Sequence, residues 1–155
     1  MSVTLYVVRH GHAVMHADSD SERPLSEMGQ KEAVLAAQHL KNVSPDVFLA
    51  SPYLRAQQTA HIIQESVGIS TPMTTQPNIT PDDHPTAVAD MLAGEGDNKV
   101  ILMISHNPLV SALVSWLVDG HFQGPYSMGT ACVACLEADL IGAGTATLKW
   151  LKHAN

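Results

Sequence analysis

The sequence predicts an α/β fold, a three-layer sandwich whose mostly parallel central sheet is flanked by helices. Two observations predict it. Short apolar, β-branched runs alternate along the chain with segments of helical periodicity, and three of those runs end abruptly on polar groups carrying His, Arg and His. No repeat, low-complexity tract or linker interrupts the alternation, so residues 1–155 read as one domain.

Thr4 to Val8 has the composition of a buried strand and stops at Arg9-His10-Gly11. Leu25-Ser26 opens a helix that runs to Leu40. Ala33, Ala36, Ala37 and Leu40 lie at helix-face spacing, and Ser26 is its cap. Val47 to Ala50 forms a second strand. Ser51-Pro52 then supplies a cap and a first-turn proline for a helix whose inner face holds Ala56, Ala60, Ile63 and Val67, and Gly68 ends it. Ser70 to Pro85, rich in Thr, Pro and Asp, reads as a long irregular connection, followed by a short helix over Thr86 to Leu92 and a turn at Gly94 to Asn98. Val100 to Ile104 is the clearest buried strand. Asn107-Pro108 caps the next helix, with Leu109, Leu113 and Leu117 on one face. The chain closes on two strands, Thr130 to Ala138 and Thr145 to Leu151, around Gly142-Ala143-Gly144.

Bulk properties narrow the function. The formal net charge of −7 argues against nucleic acid and anionic membranes as partners, since neither releases counterions to an acidic surface. No window approaches the roughly 18 consecutive apolar residues of a membrane span, and the N-terminus lacks the basic region of a secretory signal, so a cytoplasmic location is expected. Cys132-Val133-Ala134-Cys135 has a metal-like spacing. Within a strand, however, its two sulfurs face opposite sides of the sheet, and no second pair completes a zinc site.

The arginines say more than the net charge. Arg9, Arg23 and Arg55 are the whole supply, all in the first third of the chain. Such placement in an acidic protein points to bidentate recognition of phosphate or carboxylate. The three polar groups, Arg9-His10-Gly11, Ser51-Pro52-Tyr53-Leu54-Arg55 and Ser105-His106-Asn107-Pro108, each follow a strand, and open α/β sheets bind ligands beyond their strands' carboxyl ends. Arg55 falls at a helix start, where the dipole opposes a cation by up to about 1 kcal/mol unless an anion is bound there. The alternative is an arginine turned toward solvent or a nearby acid. His106 precedes a helix start as well, so its protonation depends on whether a phosphate dianion is present.

In this order and spacing, Arg9-His10-Gly11, Ser51-Pro52 with Arg55-Ala56 and Gln58-Thr59-Ala60, and Ser105-His106-Asn107-Pro108 resemble the histidine phosphatase superfamily, the phosphoglycerate-mutase-like enzymes. Leu25-Ser26 with Gly29 matches the family's next helix start. The short chain, Asp20 with Arg23-Pro24-Leu25, and the strand beginning Thr130-Ala131-Cys132 resemble the SixA-type phosphohistidine phosphatases.

The resemblance implies that His10 attacks phosphorus and becomes a transient phosphohistidine. It also implies that Arg9, Arg55 and His106 hold the phosphoryl oxygens and that Arg23 is an additional phosphate ligand. Gly11 allows close backbone approach, and neither cofactor nor metal is implied. The implied partner is a phosphohistidine-bearing protein such as a phosphotransfer domain. Two positions depart from the family pattern: His12 stands where an acidic residue or Gln is common, and Asn78, Asp82 and Asp83 occupy the region where larger relatives place a Glu acid. Asp20 is the expected pocket carboxylate, with Asp18, Asp82 and Asp83 as rivals. Two other readings stay open: a phosphatase of small phosphate esters or sugar phosphates, and a silent phosphate-binding module.

Overall fold

The computed structural model describes residues 2–97 and 99–154. Among them, strands and helices alternate as the sequence predicts: β1 (Val3–Arg9), α1 (Glu27–Gln38), β2 (Val47–Ala50), α2 (Leu54–Val67), β3 (Met73–Thr75), α3 (Pro85–Ala93), β4 (Val100–Ser105), α4 (Leu109–Asp119), β5 (Val133–Ala138) and β6 (Thr147–Lys152). A 3-10 turn at Asp20–Glu22 lies between β1 and α1. No helix of the described residues is long and apolar enough to cross a membrane.

The strands form one sheet in the order β3-β2-β4-β1-β5-β6. Pairing is parallel from β3 through β1 and antiparallel for β1 with β5 and β5 with β6. Alternation along each strand feeds two cores. Val3, Leu5 and Val7 of β1 join Ile101 and Met103 of β4 beneath α3 and α4, where Val88, Leu92, Leu109 and Leu113 close the layer. Val8 joins Phe48, Leu102 and Ile104 beneath α1 and α2, against Ala36, Leu40, Ala56, Ala60 and Ile63. Each large side chain buried this way contributes roughly 1.5–3 kcal/mol. The two cysteines follow the same alternation: Cys132 belongs to the α3/α4 core, whereas Cys135 faces Tyr6 of the other layer, and both are free.

Several local expectations need correction. The 70–85 connection contains β3, a three-residue edge strand too short and too exposed to announce itself by periodicity. Ser51 does not cap α2. The helix starts two residues later, with Tyr53 at the cap position, and the Ser51 side chain is used elsewhere. Pro108, not Asn107, is the cap residue of α4, although the Asn107 carboxamide accepts from Ser111 N at 3.2 Å within the first turn. His84 caps α3 through Thr86 N, while Asp83 accepts from Thr80 N and so closes a turn before the helix. Ser26 caps α1 as expected, accepting from Gly29 N at 3.0 Å. The two closing strands begin later than predicted, at Val133 and Thr147. The predicted 94–98 turn includes Asn98, which lies outside the described residues.

The link from β1 to α1 is packed backbone on backbone. A Cβ at Gly11 would stand 2.5 Å from the Gly29 carbonyl oxygen, and one at Gly29 would overlap the His12 carbonyl. The close approach permitted by Gly11 is therefore toward α1. Gly29→Ala should force these segments apart and destabilise the protein by about 1–3 kcal/mol, visible as a lower Tm, with turnover per folded molecule reduced as His10 shifts. A Tm equal to that of the unsubstituted protein would show that the contact yields without strain.

Candidate active site

Parallel register sets the site. Arg9 pairs with Ser105 across β1 and β4, and Ala50 pairs with Ile104 across β2 and β4, so the three strands end at one level. The next residues are tied down by the last sheet-type bonds, His10 N to Ser105 O at 3.0 Å and Ser51 N to Ile104 O at 3.0 Å. His10, Ser51 and His106 therefore emerge side by side. Around them lie most of the buried polar side chains among the described residues: His10, Ser51, Arg55, Thr59, Ser105 and His106. Ser115 is the exception, bonded apart to His121 O. Such groups are costly to bury unless paired, and nearly all of these are.

His10 has a defined tautomer. Its Nδ1 lies 2.6 Å from the Gly11 carbonyl, which can only accept, so Nδ1 carries the proton. Arg55 Nε donates to His10 Nε2 at 3.3 Å, so Nε2 carries the lone pair. Burial, followed by the charges of Arg55, Arg9 and Arg23, pushes the His10 pKa down to about 4. His10 is thus a neutral imidazole near pH 7 with its lone pair in the arginine cluster. The Gly11 amide is engaged by Thr59 Oγ1 at 3.1 Å, and Thr59 donates to Arg55 O at 2.8 Å, which locks the loop to α2. Gly11 acts through its carbonyl on His10; its N–H is already taken.

The His106 ring lies 5.0 Å from that of His10. Its Nε2 shares a 2.7 Å hydrogen bond with Ser51 Oγ, and the edge of Tyr53 packs against it. Burial first, then His10 and Arg55, push its pKa down to about 2, so it too is neutral. His106 Nδ1 is buried without a partner, and so is Arg9 Nε. These two unmet groups border the same strand ends. Arg9 itself reaches across to Met128 O at 3.1 Å, which also accepts from Asn107 Nδ2. Burial lowers the Arg9 pKa, and the Glu32 carboxylate partly offsets that.

Arg55 sits in the first turn of α2, buried, with no acid in that turn. The structure takes the alternative of a nearby acid: the anion that Arg55 meets is Asp20. Its Oδ2 meets Arg55 Nη2 at 3.2 Å, its backbone oxygen accepts from Nη1 at 2.7 Å, and its Oδ1 meets Arg23 Nη1 at 2.8 Å. Arg23 is fixed further through Nε to Val14 O. The hydrogen bond from Arg23, followed by Arg55, holds the Asp20 carboxyl below the usual range. The structure thus gathers Arg9, His10, Arg23, Arg55, His106 and Asp20. Asp18 and Asp82 are exposed, Asp83 is bound to Thr80, and none of the three meets the arginines.

His12 leaves the cluster: its Nδ1 bonds Ser26 Oγ at 2.7 Å and its amide bonds Glu32. Sequence reasoning gave no role to Thr59, Tyr53 or Glu32, or to the Met128 carbonyl. Thr59 lies within Gln58-Thr59-Ala60, a signal legible in sequence; a backbone carbonyl from a distant loop leaves no trace there. Among the described residues, no three His, Cys, Asp or Glu side chains are grouped to hold a metal ion.

The model of the histidine phosphatase superfamily (branch 1) matches residues 5–80. The chain is 35% identical to the phosphohistidine phosphatase SixA of Escherichia coli (strain K12), over 91% of this chain and 89% of that one. It is 34% identical to the SixA homolog of Haemophilus influenzae, over 88% and 89%. The solved structure of the protein histidine phosphatase SixA complexed with tungstate superposes with a TM-score of 0.87 at 32% identity, covering 97% of both chains.

Both histidines are held neutral, so their protonation opposes the fold. Because their pKa values are depressed on folding, the unfolded chain binds more protons between about pH 6.5 and 4, and stability falls as pH drops through that window. Urea midpoints measured across it should decline steeply, and His10→Asn should flatten part of the decline. An unchanged slope in the variant would mean that His10 is not held neutral.

Proposed function

The chain belongs to the histidine phosphatase superfamily, and from that premise we propose that it is a phosphohistidine phosphatase acting on a phosphorylated protein through a covalent intermediate on His10. The observation that carries this reading is the state of His10: neutral, with its proton fixed on Nδ1 by Gly11 and its Nε2 lone pair beside the Arg55 guanidinium.

In the first step, His10 Nε2 forms a bond to phosphorus while the P–N bond of the substrate breaks opposite it. The substrate's imidazole leaves neutral when its second ring nitrogen is protonated. In the second step, water forms the P–O bond and His10 departs as imidazole, releasing inorganic phosphate. Arg9, Arg55 and His106 supply donors to the phosphoryl oxygens, and fixed cations inside a buried site stabilise the charge on the transferring group. Arg23 reinforces that charge at the rim. No step requires a metal, because the guanidinium groups provide the positive charge.

The same geometry favours phosphoramidate over ester substrates. An alkoxide leaving group needs a proton from a placed acid, worth about 10²–10⁴-fold. Asp20 is the carboxylate at hand, and two arginines hold it ionised. A phosphoryl dianion on Arg55 weakens that hold, so Asp20 is a modest acid at best. The substrate is a phosphohistidine-bearing protein such as a phosphotransfer domain, met in the cytoplasm.

His10→Ala should abolish turnover and leave the fold intact, and neutral quench of the unsubstituted enzyme with labelled substrate should trap an acid-labile, base-stable phosphoenzyme. Appreciable turnover by His10→Ala would remove His10 as nucleophile. A phosphohistidine protein should be hydrolysed much faster than alkyl phosphates, with Asp20→Asn lowering the ester reaction proportionately more. Sugar phosphates turning over as efficiently as the phosphoprotein would replace this reading with the small-ester one.

A further inference from the structure

Ser51 is wholly buried, and its hydroxyl does not serve the helix that follows it. The oxygen accepts from Tyr53 N at 3.2 Å and stands 2.7 Å from His106 Nε2. The Ser51 backbone is pinned on both sides, its N–H to Ile104 O and its carbonyl to Gln57 Nε2. The hydroxyl thus has a fixed seat facing His106.

The shared hydrogen bond can run either way. If His106 Nε2–H donated to Ser51, the serine proton would have no acceptor inside a closed site, and an unpaired lone pair on Nδ1 would be buried. That lone pair would also face an arriving phosphoryl anion. If Ser51 donates to Nε2, its oxygen still accepts from Tyr53 and the hydroxyl is satisfied. Of the Ser51–His106 pair, the one unmet group is then Nδ1–H, a donor at the site where negative charge arrives.

We infer that Ser51 is a positioning residue that fixes His106 in the Nδ1-protonated tautomer and thereby makes this neutral histidine a hydrogen-bond donor to the transferring phosphoryl group. The inference rests on the proposed phosphoryl transfer only for its catalytic consequence; the tautomer itself is independent of the substrate. The two histidines then share one tautomer and do opposite work. His10, proton on Nδ1 toward Gly11, presents a lone pair to phosphorus. His106, lone pair on Nε2 toward Ser51, presents a proton to oxygen.

Long-range ¹H–¹⁵N NMR of the free protein tests this directly, with His106 assigned by its loss in His106→Asn. The expected pattern is a protonated Nδ1 and an unprotonated Nε2. A protonated Nε2 in the unsubstituted protein would overturn the proposal without recourse to any variant. Ser51→Ala should lose the fixed tautomer, weaken binding of inorganic phosphate and lower kcat on the phosphohistidine substrate, together by roughly 10²-fold, the order seen when one oxyanion donor is removed. Ser51→Thr, which keeps the hydroxyl, should retain the tautomer and recover most of the loss. Unchanged phosphate affinity and kcat in Ser51→Ala would refute the assigned role. If the tautomer and phosphate binding behave as expected but no phosphohistidine substrate turns over, the substrate reading has failed and the role of Ser51 stands.

Discussion

Parallel pairing of β1, β2 and β4 brings the last residues of all three strands to a single level, with Arg9 opposite Ser105 and Ala50 opposite Ile104. Everything in the site hangs from that register. A slip of one residue would turn His10 into the other layer, because strand side chains alternate faces. It would also separate Ser51 from His106, whose bond spans 2.7 Å between groups 55 positions apart in sequence. Two apolar cores hold the register in place, since β1, β2 and β4 are covered on both faces and a slip would drive side chains fitted to one layer into the packing of the other.

Within that frame, charge placement does the chemical work. The chain carries a net charge of −7, yet its three arginines converge on one cluster. Burial first, and then the cations concentrated beside them, hold both imidazoles neutral. Asp20 balances the cluster in the free protein by spanning Arg23 and Arg55. It is the anion at the start of α2.

The limits of the sequence are as local as its successes. Ser51 looked like a helix cap because Ser followed by Pro is the usual cap pattern. The helix instead starts at Leu54, and the Ser51 oxygen accepts from Tyr53 N ahead of the first turn while its hydroxyl pairs with the buried His106. Asp82 and Asp83 stood in the stretch where an acid was sought, but Asp83 is spent on Thr80 N and Oγ1, a local demand that composition does not reveal. Gly11 reads as a point of close backbone approach; the atom that approaches is the carbonyl oxygen of Gly29 on α1. For Ser51 and Gly11 the deciding contact comes from another element, and for Asp83 from a turn three residues back; each took precedence over the pattern expected there.

By itself the sequence determined the alternation of strands and helices, the family and the residues that gather at the strand ends, because periodicity, capping and motif order are local properties written in the residues themselves. Strand ends and spacing point to Arg9, His10, Arg55 and His106, and the family resemblance points to Asp20 among the nearby acids. Tertiary structure alone decided which nitrogen of each histidine holds the proton, which backbone carbonyls fix Arg9 and His10, and which carboxylate reaches the arginines. Those outcomes depend on donor and acceptor pairing across strands and loops far apart in the chain, and hydrogen-bond direction is set by what stands within about 3 Å in space.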